Sequence, residues 1–413
     1  MIHRLSASML AQLPVSVARN ILKQPQYDSA KNGGSPKQLL VDISEIIKGD
    51  TRTGIQRVVR GILQHLFQEP PSGYQVKPVF ADRNHGYCYA PVSINCLQAD
   101  ELARHNTIPV VAVAGDIFLG LDLSAHLLPK HQDQLLRWKR HRVGICVVVY
   151  DLLPLMHPHW FKLARHKTFK RWLKTLAIYA DDLICISESV KSDLCSWLRA
   201  HYGLEEKDIR LHTIPLGADI ESTLPSAGLT AKEESMLKQL QQKKYVLMVG
   251  TLEPRKGYAD ALVAFERLWA EGEQTTLVIV GKPGWKTDEL QDRLRSHPEQ
   301  KMRLYWFESA SDEMLERLYQ SSFGILMASE AEGFGLPLVE ALRFNKPVLA
   351  RKIDAYQEQF SRGVYFFETD MITSLRAFCS LGIGGQLESN PYYKIPLWAD
   401  TTNALKNLIF KNI

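Results

Sequence analysis

The sequence has 413 residues, of which 45% are hydrophobic and 23% are charged, a composition typical of soluble globular proteins. A chain of this length exceeds what one hydrophobic core usually supports, so we expect two domains. The net charge of +5 favours anionic ligands or an anionic membrane surface, and it selects neither of them.

Signals of membrane insertion and of a disulfide framework are missing from the sequence. There is no apolar run of about 18 residues and no continuous apolar segment near the N-terminus. The six cysteines form no Cys-x-x-Cys pair, which favours reduced thiols over disulfide bonds. We therefore expect a cytoplasmic protein that is soluble or bound peripherally to the inner face of the cytoplasmic membrane.

The first half of the chain alternates between strand-like and helix-like segments. A basic N-terminal extension, residues 1–36, precedes a first domain at 37–217. The apolar patterns predict strands at 38–43, 74–80, 109–119, 144–150, 182–187 and 210–215, and helices at 54–67, 128–142, 159–179 and 188–202. Such alternation indicates a parallel sheet covered by helices on both faces.

The same alternation restarts after a polar segment at 218–244, which is interpreted as a linker with a short helix. A second domain at 245–397 is predicted to contain strands at 245–250, 276–281, 302–307, 323–329 and 347–350, and helices at 258–271, 288–296, 312–320 and 337–344. The sequence thus predicts an α/β protein with two doubly wound domains, whose ligands bind at the carboxyl ends of the strands. A last helix at 398–413 either closes the second domain or returns to the first.

The most distinctive stretch is Glu332-Gly-Phe-Gly-Leu-Pro-Leu-Val-Glu340. It follows a buried apolar run and opens a helix near Pro337, a residue favoured in the first turn; Asn345 and Pro347 end that helix. The glycines therefore lie where backbone N–H groups and the helix dipole attract anions. A simpler interpretation is that Glu340 complements the dipole and that the glycines only turn a corner.

A second stretch, Gly250-Thr-Leu-Glu-Pro-Arg-Lys-Gly257, places two cations after another predicted strand. Arg255 and Lys256 could hold a diphosphate, and the alternative is a solvated surface pair. Neither half has G-x-G-x-x-G after its first strand, and G-x-x-x-x-G-K-[ST] is absent. These absences disfavour a nicotinamide dehydrogenase and a P-loop nucleotidase.

Together these two stretches resemble the retaining glycosyltransferases of family 4, which have the GT-B fold. The resemblance extends from about Gln38 to Pro347 and includes Thr53-Gly-Ile-Gln-Arg-Val58, Ile186-Ser-Glu-Ser-Val190 and Ile214-Pro-Leu-Gly217. It is strongest to bacterial mannosyltransferase-like enzymes of O-antigen, capsule or exopolysaccharide synthesis. It implies two Rossmann-like domains facing a central cleft, with the acceptor on the first domain and the nucleotide-sugar donor on the second.

The resemblance also implies roles for individual residues. Gly54 would approach the donor diphosphate, unless it is a simple N-cap glycine. Glu332 would bind the transferred sugar, and Glu340 the ribose. The residues implied in catalysis are Glu332, Arg255, Lys256 and Asp151, and those implied in donor binding are Gly54, Gly250, Gly333, Phe334, Gly335, Leu336, Glu340 and Tyr150.

One part of the family pattern is missing. Many relatives have a His-Asp pair at the end of a first-domain strand, where this chain has Tyr150-Asp151. Asp151 is our first choice for a sugar or acceptor contact and Tyr150 the second. His157 and His159 are nearby alternatives.

The predicted chemistry needs neither a metal nor a cofactor. Breaking the anomeric bond places negative charge on the departing diphosphate, which Arg255, Lys256 and a helix N-terminus would stabilise. The sequence lacks Asp-x-Asp, the acidic pair of many metal-using glycosyltransferases. The resemblance implies retention by same-face attack, and a covalent intermediate remains an alternative.

The expected donor is a GDP-hexose such as GDP-mannose, and the expected acceptor is a glycan or lipid-linked glycan; nucleic acid is not expected. A protein that binds a nucleotide sugar without turning it over, and a nucleotide-sugar epimerase, are the alternatives. The stretch 161–174 carries six cations and no acid. It is interpreted either as a core helix with a solvated basic face or as a peripheral membrane contact.

Overall fold

The computed structural model describes residues 5–23, 36–49, 53–92, 108–220, 228–358, 364–381 and 395–410. The chain forms two compact units. One consists of Met1–Gly217 with Trp398–Ile413, and the other of Ala218–Leu397.

The first unit is built on a seven-stranded sheet of order β3-β2-β1-β4-β5-β6-β7. Neighbouring strands are parallel except β3, which is antiparallel to β2. The strands are β1 (Lys37–Asp42), β2 (Tyr74–Phe80), β3 (Cys88–Tyr89), β4 (Ile117–Gly120), β5 (Gly144–Val149), β6 (Asp182–Cys185) and β7 (Arg210–Thr213). The central strands are buried, since β4 and β6 contain no exposed residue.

The helices of this unit cover the sheet. Helix α3 (Gly54–Gln68) begins with a capping box, in which the Thr53 side chain and the Gln56 side chain each accept from the other residue's backbone N–H. The helices that precede the second unit are α1 (Ala7–Gln12), α2 (Val15–Leu22), α3 (Gly54–Gln68), α4 (Gln132–Arg140), α5 (Leu153–Met156), α6 (Leu163–Tyr179) and α7 (Glu188–Tyr202). Short 3-10 turns lie at Ile46–Lys48, Leu128–Lys130 and Pro158–Trp160.

The N-terminal segment packs as part of this first unit. Arg19, which is 8% exposed, donates to the carbonyls of Ala177, Ala180 and Asp208. The Nζ of Lys174 donates to the Ala11 carbonyl at 2.8 Å. Helices α1 and α2 are thus held on the unit by buried and half-buried cations.

The second unit contains a six-stranded parallel sheet of order β10-β9-β8-β11-β12-β13. Its strands are β8 (Tyr245–Val249), β9 (Thr276–Val280), β10 (Leu304–Phe307), β11 (Gly324–Met327), β12 (Val348–Arg351) and β13 (Val364–Phe367). Its helices are α8 (Ala231–Gln241), α9 (Tyr258–Ala270), α10 (Asp288–Ser296), α11 (Asp312–Ser321), α12 (Leu336–Arg343), α13 (Asp354–Gln357) and α14 (Met371–Cys379), with a 3-10 turn at Pro254–Lys256. A continuous apolar core joins α9 and α14 to the sheet.

Helix α15 (Trp398–Phe410) returns to the first unit, one of the two arrangements that the sequence left open. It packs against α3, where a Cβ on Gly61 would lie 2.5 Å from the Trp398 ring. The Phe410 ring also lies 4.6 Å from the Tyr74 ring. The small residue at 61 therefore makes room for a fully buried tryptophan.

The predicted α/β class, with two units built on parallel sheets, is confirmed. One predicted strand is much shorter in the structure. The predicted 109–119 overlaps the observed β4, Ile117–Gly120, only from Ile117 to Leu119, where the chain pairs with β1 and β5. The segment before it is exposed at Val111 and Val113 despite its apolar sequence. The polar segment at 218–244 belongs to the second unit, where α8 packs on α11.

Candidate functional site

The candidate site of the second unit lies where the strand order reverses. Strands β8 and β11 are neighbours in the sheet, although two other strands separate them in sequence. Such a switch point opens a crevice at the carboxyl ends of the strands. The stretch containing Arg255 and Lys256 follows β8, and the stretch containing Glu332 follows β11.

A glycine allows these two strand ends to approach closely. Gly257 is the N-cap of α9 and has a φ of 68° in the left-handed region, and a Cβ there would lie 2.4 Å from the Ala328 carbonyl oxygen. The backbone N–H of Glu330 donates to the Arg255 carbonyl at 2.8 Å. The loops after β8 and β11 are therefore joined through their backbones.

Three charged side chains converge in this crevice. Glu332 Oε2 lies 2.7 Å from Arg255 Nη1, and Glu332 Oε1 lies 2.5 Å from Lys256 Nζ. Arg255 Nε also donates to Glu253 at 2.9 Å, and Arg255 Nη1 to the Ala331 carbonyl at 2.9 Å. The structure thus brings together the sequence-predicted residues Arg255, Lys256 and Glu332.

The Glu332 carboxylate is strongly held in its charged form. Burial by itself would raise its pKa, but the Arg255 and Lys256 charges outweigh burial and lower the pKa to about 2. The Ser329 hydroxyl donates to Glu332 Oε1 at 2.7 Å. Ser329 was not predicted from the sequence, although its place three residues before Glu332 at a strand end is a signal that could have found it.

Helix α12 begins directly beside this cluster. Gly335 precedes it with a φ of 98°, and a Cβ there would lie 2.5 Å from the Tyr356 ring. Leu336 and Pro337 are the first two helical residues, and Asn345 follows the helix with a φ of 53°, as the predicted stop requires.

The two residues before Gly335, Gly333 and Phe334, are buried. Tyr356 follows the next strand, β12, and nothing in its local sequence predicts its contact with Gly335.

Two other predicted donor residues have their groups engaged inside the second unit. Glu340 is 1% exposed, and its Oε2 accepts from the Tyr319 hydroxyl at 2.7 Å. Gly250 has a φ of 139°, and its carbonyl accepts from the Tyr258 hydroxyl at 2.6 Å. The predicted ribose contact of Glu340 would require this buried carboxylate to be reached from the crevice.

The switch point of the first unit lies between β1 and β4 and contains a cluster that sequence reasoning missed. Asp42 accepts from Ser44 and from the hydroxyls of Tyr87 and Ser124. Asp122 accepts from the backbone N–H groups of Glu45 and Ile46, each at 2.8 Å. These carboxylates fix the loop after β1.

Burial raises the pKa of Asp42 to about 6. Burial and the nearby Asp42 charge together raise the pKa of Asp122 to about 7.

Gly54 is the first residue of α3 and is exposed. Thr53, one residue earlier, is the N-cap, so the interpretation of Gly54 as a simple N-cap glycine is wrong.

The residues after β5 differ in their accessibility. Tyr150 is 2% exposed and donates to the Leu121 carbonyl at 2.7 Å, so its side chain supports the strand end and does not face a ligand. Asp151 is partly exposed and accepts from the Leu153 N–H at 3.0 Å. His157 stacks on Trp160 with ring centroids 4.4 Å apart, and His159 is exposed beside them. Asp151 and the two histidines are therefore the accessible candidates here.

The basic stretch forms most of α6. Phe169, Trp172, Leu173 and Leu176 are buried, as the predicted apolar face requires. The cations Lys162, Arg165, Lys167, Lys170 and Arg171 are exposed, as is Leu163. None of the helices in the described ranges is long and apolar enough to cross a membrane.

A family model of glycosyl transferases and a bacterial mannosyltransferase are among the matches to this chain. The family model described as "Glycosyl transferases group 1" matches residues 231–377. The chain is 38% identical over 354 residues to the serotype-specific mannosyltransferase WbdA of Escherichia coli, which covers 85% of this chain. This chain, in turn, spans only 42% of the length of that relative.

Solved structures show the same fold at low sequence identity. The N-terminal domain of Candida albicans trehalose-6-phosphate phosphatase matches 94% of this chain and 100% of its own, with a TM-score of 0.65 and 16% identity. Anabaena Alr3699/HepE, solved with UDP and glucose, matches 90% of this chain and 95% of its own, with a TM-score of 0.55 and 16% identity. The predicted GT-B fold class is confirmed. The match to the group 1 glycosyl transferases, at residues 231–377, thus lies within the second unit.

Proposed function

We propose that the chain transfers a hexose from a nucleotide sugar to a growing bacterial surface glycan. The observation that carries this proposal is the convergence of Arg255, Lys256 and Glu332 at the switch point of the second sheet. Such a crevice, beside the N-terminus of α12, suits an anionic leaving group. The 38% identity to an E. coli serotype-specific mannosyltransferase supports mannose as the transferred sugar. The 32% identity over 124 residues to the O-antigen chain mannosyltransferase B of E. coli supports O-antigen as the kind of glycan.

The proposed chemistry assigns the two cations to the departing diphosphate. Cleavage of the anomeric bond leaves negative charge on the diphosphate and positive charge on the sugar ring. Cations fixed in advance stabilise that charge without reorganising during the reaction, and one such donor is typically worth about 3–4 kcal/mol. Glu332 would then contact the sugar hydroxyls, and retention would follow from attack on the face that the diphosphate leaves.

Metal independence, a GDP donor and the absence of a cofactor are further parts of the proposal. A guanidinium, an ammonium and a helix N-terminus supply the positive charge that a divalent ion supplies elsewhere. In the first unit, Asp151, His157 and His159 are the proposed acceptor contacts because they remain accessible after β5. A glycan acceptor that carries a lipid would bring the enzyme to the cytoplasmic face of the membrane.

We also propose that α6 contributes the membrane contact. Its exposed cations Lys167, Lys170 and Arg171 carry the positive charge that anionic lipid headgroups attract, and exposed Leu163 adds apolar surface. Lys174 is excluded from this surface because its ammonium is bonded to the Ala11 carbonyl.

Donor identity is tested by thermal unfolding with a panel of UDP- and GDP-sugars. A ligand at 100 times its Kd stabilises the folded state by about 2.7 kcal/mol, so the correct donor should raise the Tm clearly above the others. GDP-mannose is expected to give the largest shift. Release of free nucleotide in the presence of an acceptor glycan, with the sugar found on the acceptor, then distinguishes transfer from mere binding. A donor that binds and is never consumed would contradict the proposal.

A further inference from the structure

The two cations proposed to bind diphosphate already share a counter-ion in this structure. Both oxygens of Glu332 are used, with Oε2 at 2.7 Å from Arg255 Nη1 and Oε1 at 2.5 Å from Lys256 Nζ. The three side chains are only 12%, 14% and 8% exposed, in the order Arg255, Lys256 and Glu332. Water therefore screens this contact poorly, and its charges interact strongly.

The cluster is close to electrically neutral as it stands. Arg255 and Lys256 supply two positive charges, while Glu332 and the Glu253 carboxylate, 2.9 Å from Arg255, supply two negative ones. A diphosphate that entered without displacing Glu332 would bring like charges together in a partly dry crevice. Binding of diphosphate to these cations therefore requires Glu332 to give up part of its contacts.

We propose that Glu332 competes with the diphosphate group for Arg255 and Lys256, and thereby weakens binding of the free nucleoside diphosphate relative to the intact sugar donor. This inference rests on the proposed function. With an intact donor, the displaced carboxylate has sugar hydroxyls as new hydrogen-bond partners. Once the sugar has left, those hydroxyls are gone and Glu332 recaptures the cations, which favours release of the product.

If Glu332 competes in this way, removing its charge should raise the affinity of the protein for diphosphate. Glu332→Gln is isosteric but uncharged, so Arg255 and Lys256 should bind GDP, UDP or inorganic pyrophosphate about tenfold tighter or more. The intact nucleotide sugar should gain less, because the same substitution weakens its sugar contacts. Titration calorimetry at low and high salt measures both affinities, and the gain should shrink as salt rises.

Two variants make the test specific. Glu330→Gln removes the same charge from an exposed side chain two residues away, so it should leave diphosphate affinity unchanged. Glu332→Asp keeps the charge but withdraws the carboxylate by one methylene, so it should give a smaller gain. This second variant also carries the test if Glu332→Gln does not fold.

The outcomes separate this inference from the proposed function. Diphosphate binding that Arg255→Ala does not weaken would overturn the assignment of the crevice itself. Binding that depends on Arg255, and that Glu332→Gln leaves unchanged or weaker, would overturn only the competition. Equal gains in Glu330→Gln and Glu332→Gln would also overturn it, because a general charge effect would then suffice.

Discussion

Arg255 contacts Glu253 in its own loop after β8, and it joins this loop to the loop after β11 through the Ala331 carbonyl and Glu332. If it stabilises the departing diphosphate, Arg255→Ala should lower kcat/KM by about two to three orders of magnitude. Steady-state kinetics with saturating acceptor measures this change. Arg267→Ala is a matched control, because that arginine is an exposed residue of α9 paired with Glu271. Equal effects of the two substitutions would contradict the assignment of Arg255.

Neutralising the two carboxylates of the glycine-rich stretch, Glu332 and Glu340, should produce two different defects. Glu332→Gln should reduce turnover while the nucleoside diphosphate still binds, because Glu332 is assigned to the sugar. Glu340→Gln should weaken binding of the free nucleotide and of the donor alike, because Glu340 is assigned to the ribose. Transfer rates and calorimetric titration of both variants measure the difference. Near wild-type turnover in Glu332→Gln would defeat the assignment.

The buried position of Glu340 calls for a control of its own. Tyr319 is fully buried and donates its hydroxyl to the Glu340 carboxylate at 2.7 Å. Tyr319→Phe removes this hydrogen bond, typically worth about 1.5–3 kcal/mol to a charged acceptor, and leaves the carboxylate in place. A nucleotide-binding defect confined to Glu340→Gln supports the ribose contact. The same defect in both variants assigns Glu340 a structural role.

Asp122 should make the stability of the fold depend on pH. Burial and the Asp42 charge raise its pKa to about 7 from an ordinary 3.8. Between about pH 4 and about pH 7 the folded chain retains a proton that the unfolded chain releases, so the free energy of unfolding falls as pH rises. Asp122→Asn cannot titrate and should flatten this slope, whereas exposed Asp260→Asn should not. Denaturant unfolding across the window measures it, and an unchanged slope in Asp122→Asn would refute the prediction.

Residue types at strand ends could be predicted from the sequence, but their partners could not. Arg255, Lys256 and Glu332 each stand out as charged residues after an apolar strand. Their mutual ion pairs depend on β8 and β11 being neighbours, a sheet order that no local pattern contains. The same limit explains why Asp42 and Asp122 were missed. Asp42 is the last residue of β1 and Asp122 follows β4, and only the pairing of these two strands brings the carboxylates together.

At the scale of single elements, α6 gives the clearest experiment. Changing Lys167, Lys170 and Arg171 to Glu should reduce binding to anionic liposomes, because exposed cations near an anionic surface contribute about 1 kcal/mol each. Sedimentation with vesicles of anionic and of neutral lipid measures this. Lys232, Lys238 and Lys301 of the second unit are exposed, and changing them together to Glu provides a control with the same charge change. Unchanged binding to anionic liposomes at low salt would support the alternative interpretation, in which α6 is a core helix with a solvated basic face.

Helices with strong periodicity were predicted nearly to the residue, whereas short strands were not. The predicted 188–202 and 288–296 agree with Glu188–Tyr202 and Asp288–Ser296, because apolar spacing marks both helices; Ser187 and Gly203 also cap the first of them. The edge strand Val364–Phe367 was missed, since four residues show no decisive period. The predicted strand at 109–119 was too long, because an apolar run is a strand only where a neighbour pairs with it.

For the molecule as a whole, transfer should persist in excess EDTA. The proposed positive charge at the diphosphate comes from Arg255, Lys256 and the N-terminus of α12, and chelation removes none of these. Transfer rates before and after dialysis against EDTA measure the effect, with a metal-dependent glycosyltransferase as the control enzyme. Complete loss of activity that magnesium or manganese restores would overturn metal independence.

The return of α15 to the first unit has a consequence for the order in which the protein is made. Gly61 of α3 is covered by Trp398, and the whole second unit is translated between the two. The second unit is contiguous, so it can complete its packing while α3 on the nascent chain still exposes the apolar face that α15 will cover. Of these two units, the one that begins first therefore completes its packing last, and during synthesis its exposed helix face is a natural target for a ribosome-bound chaperone.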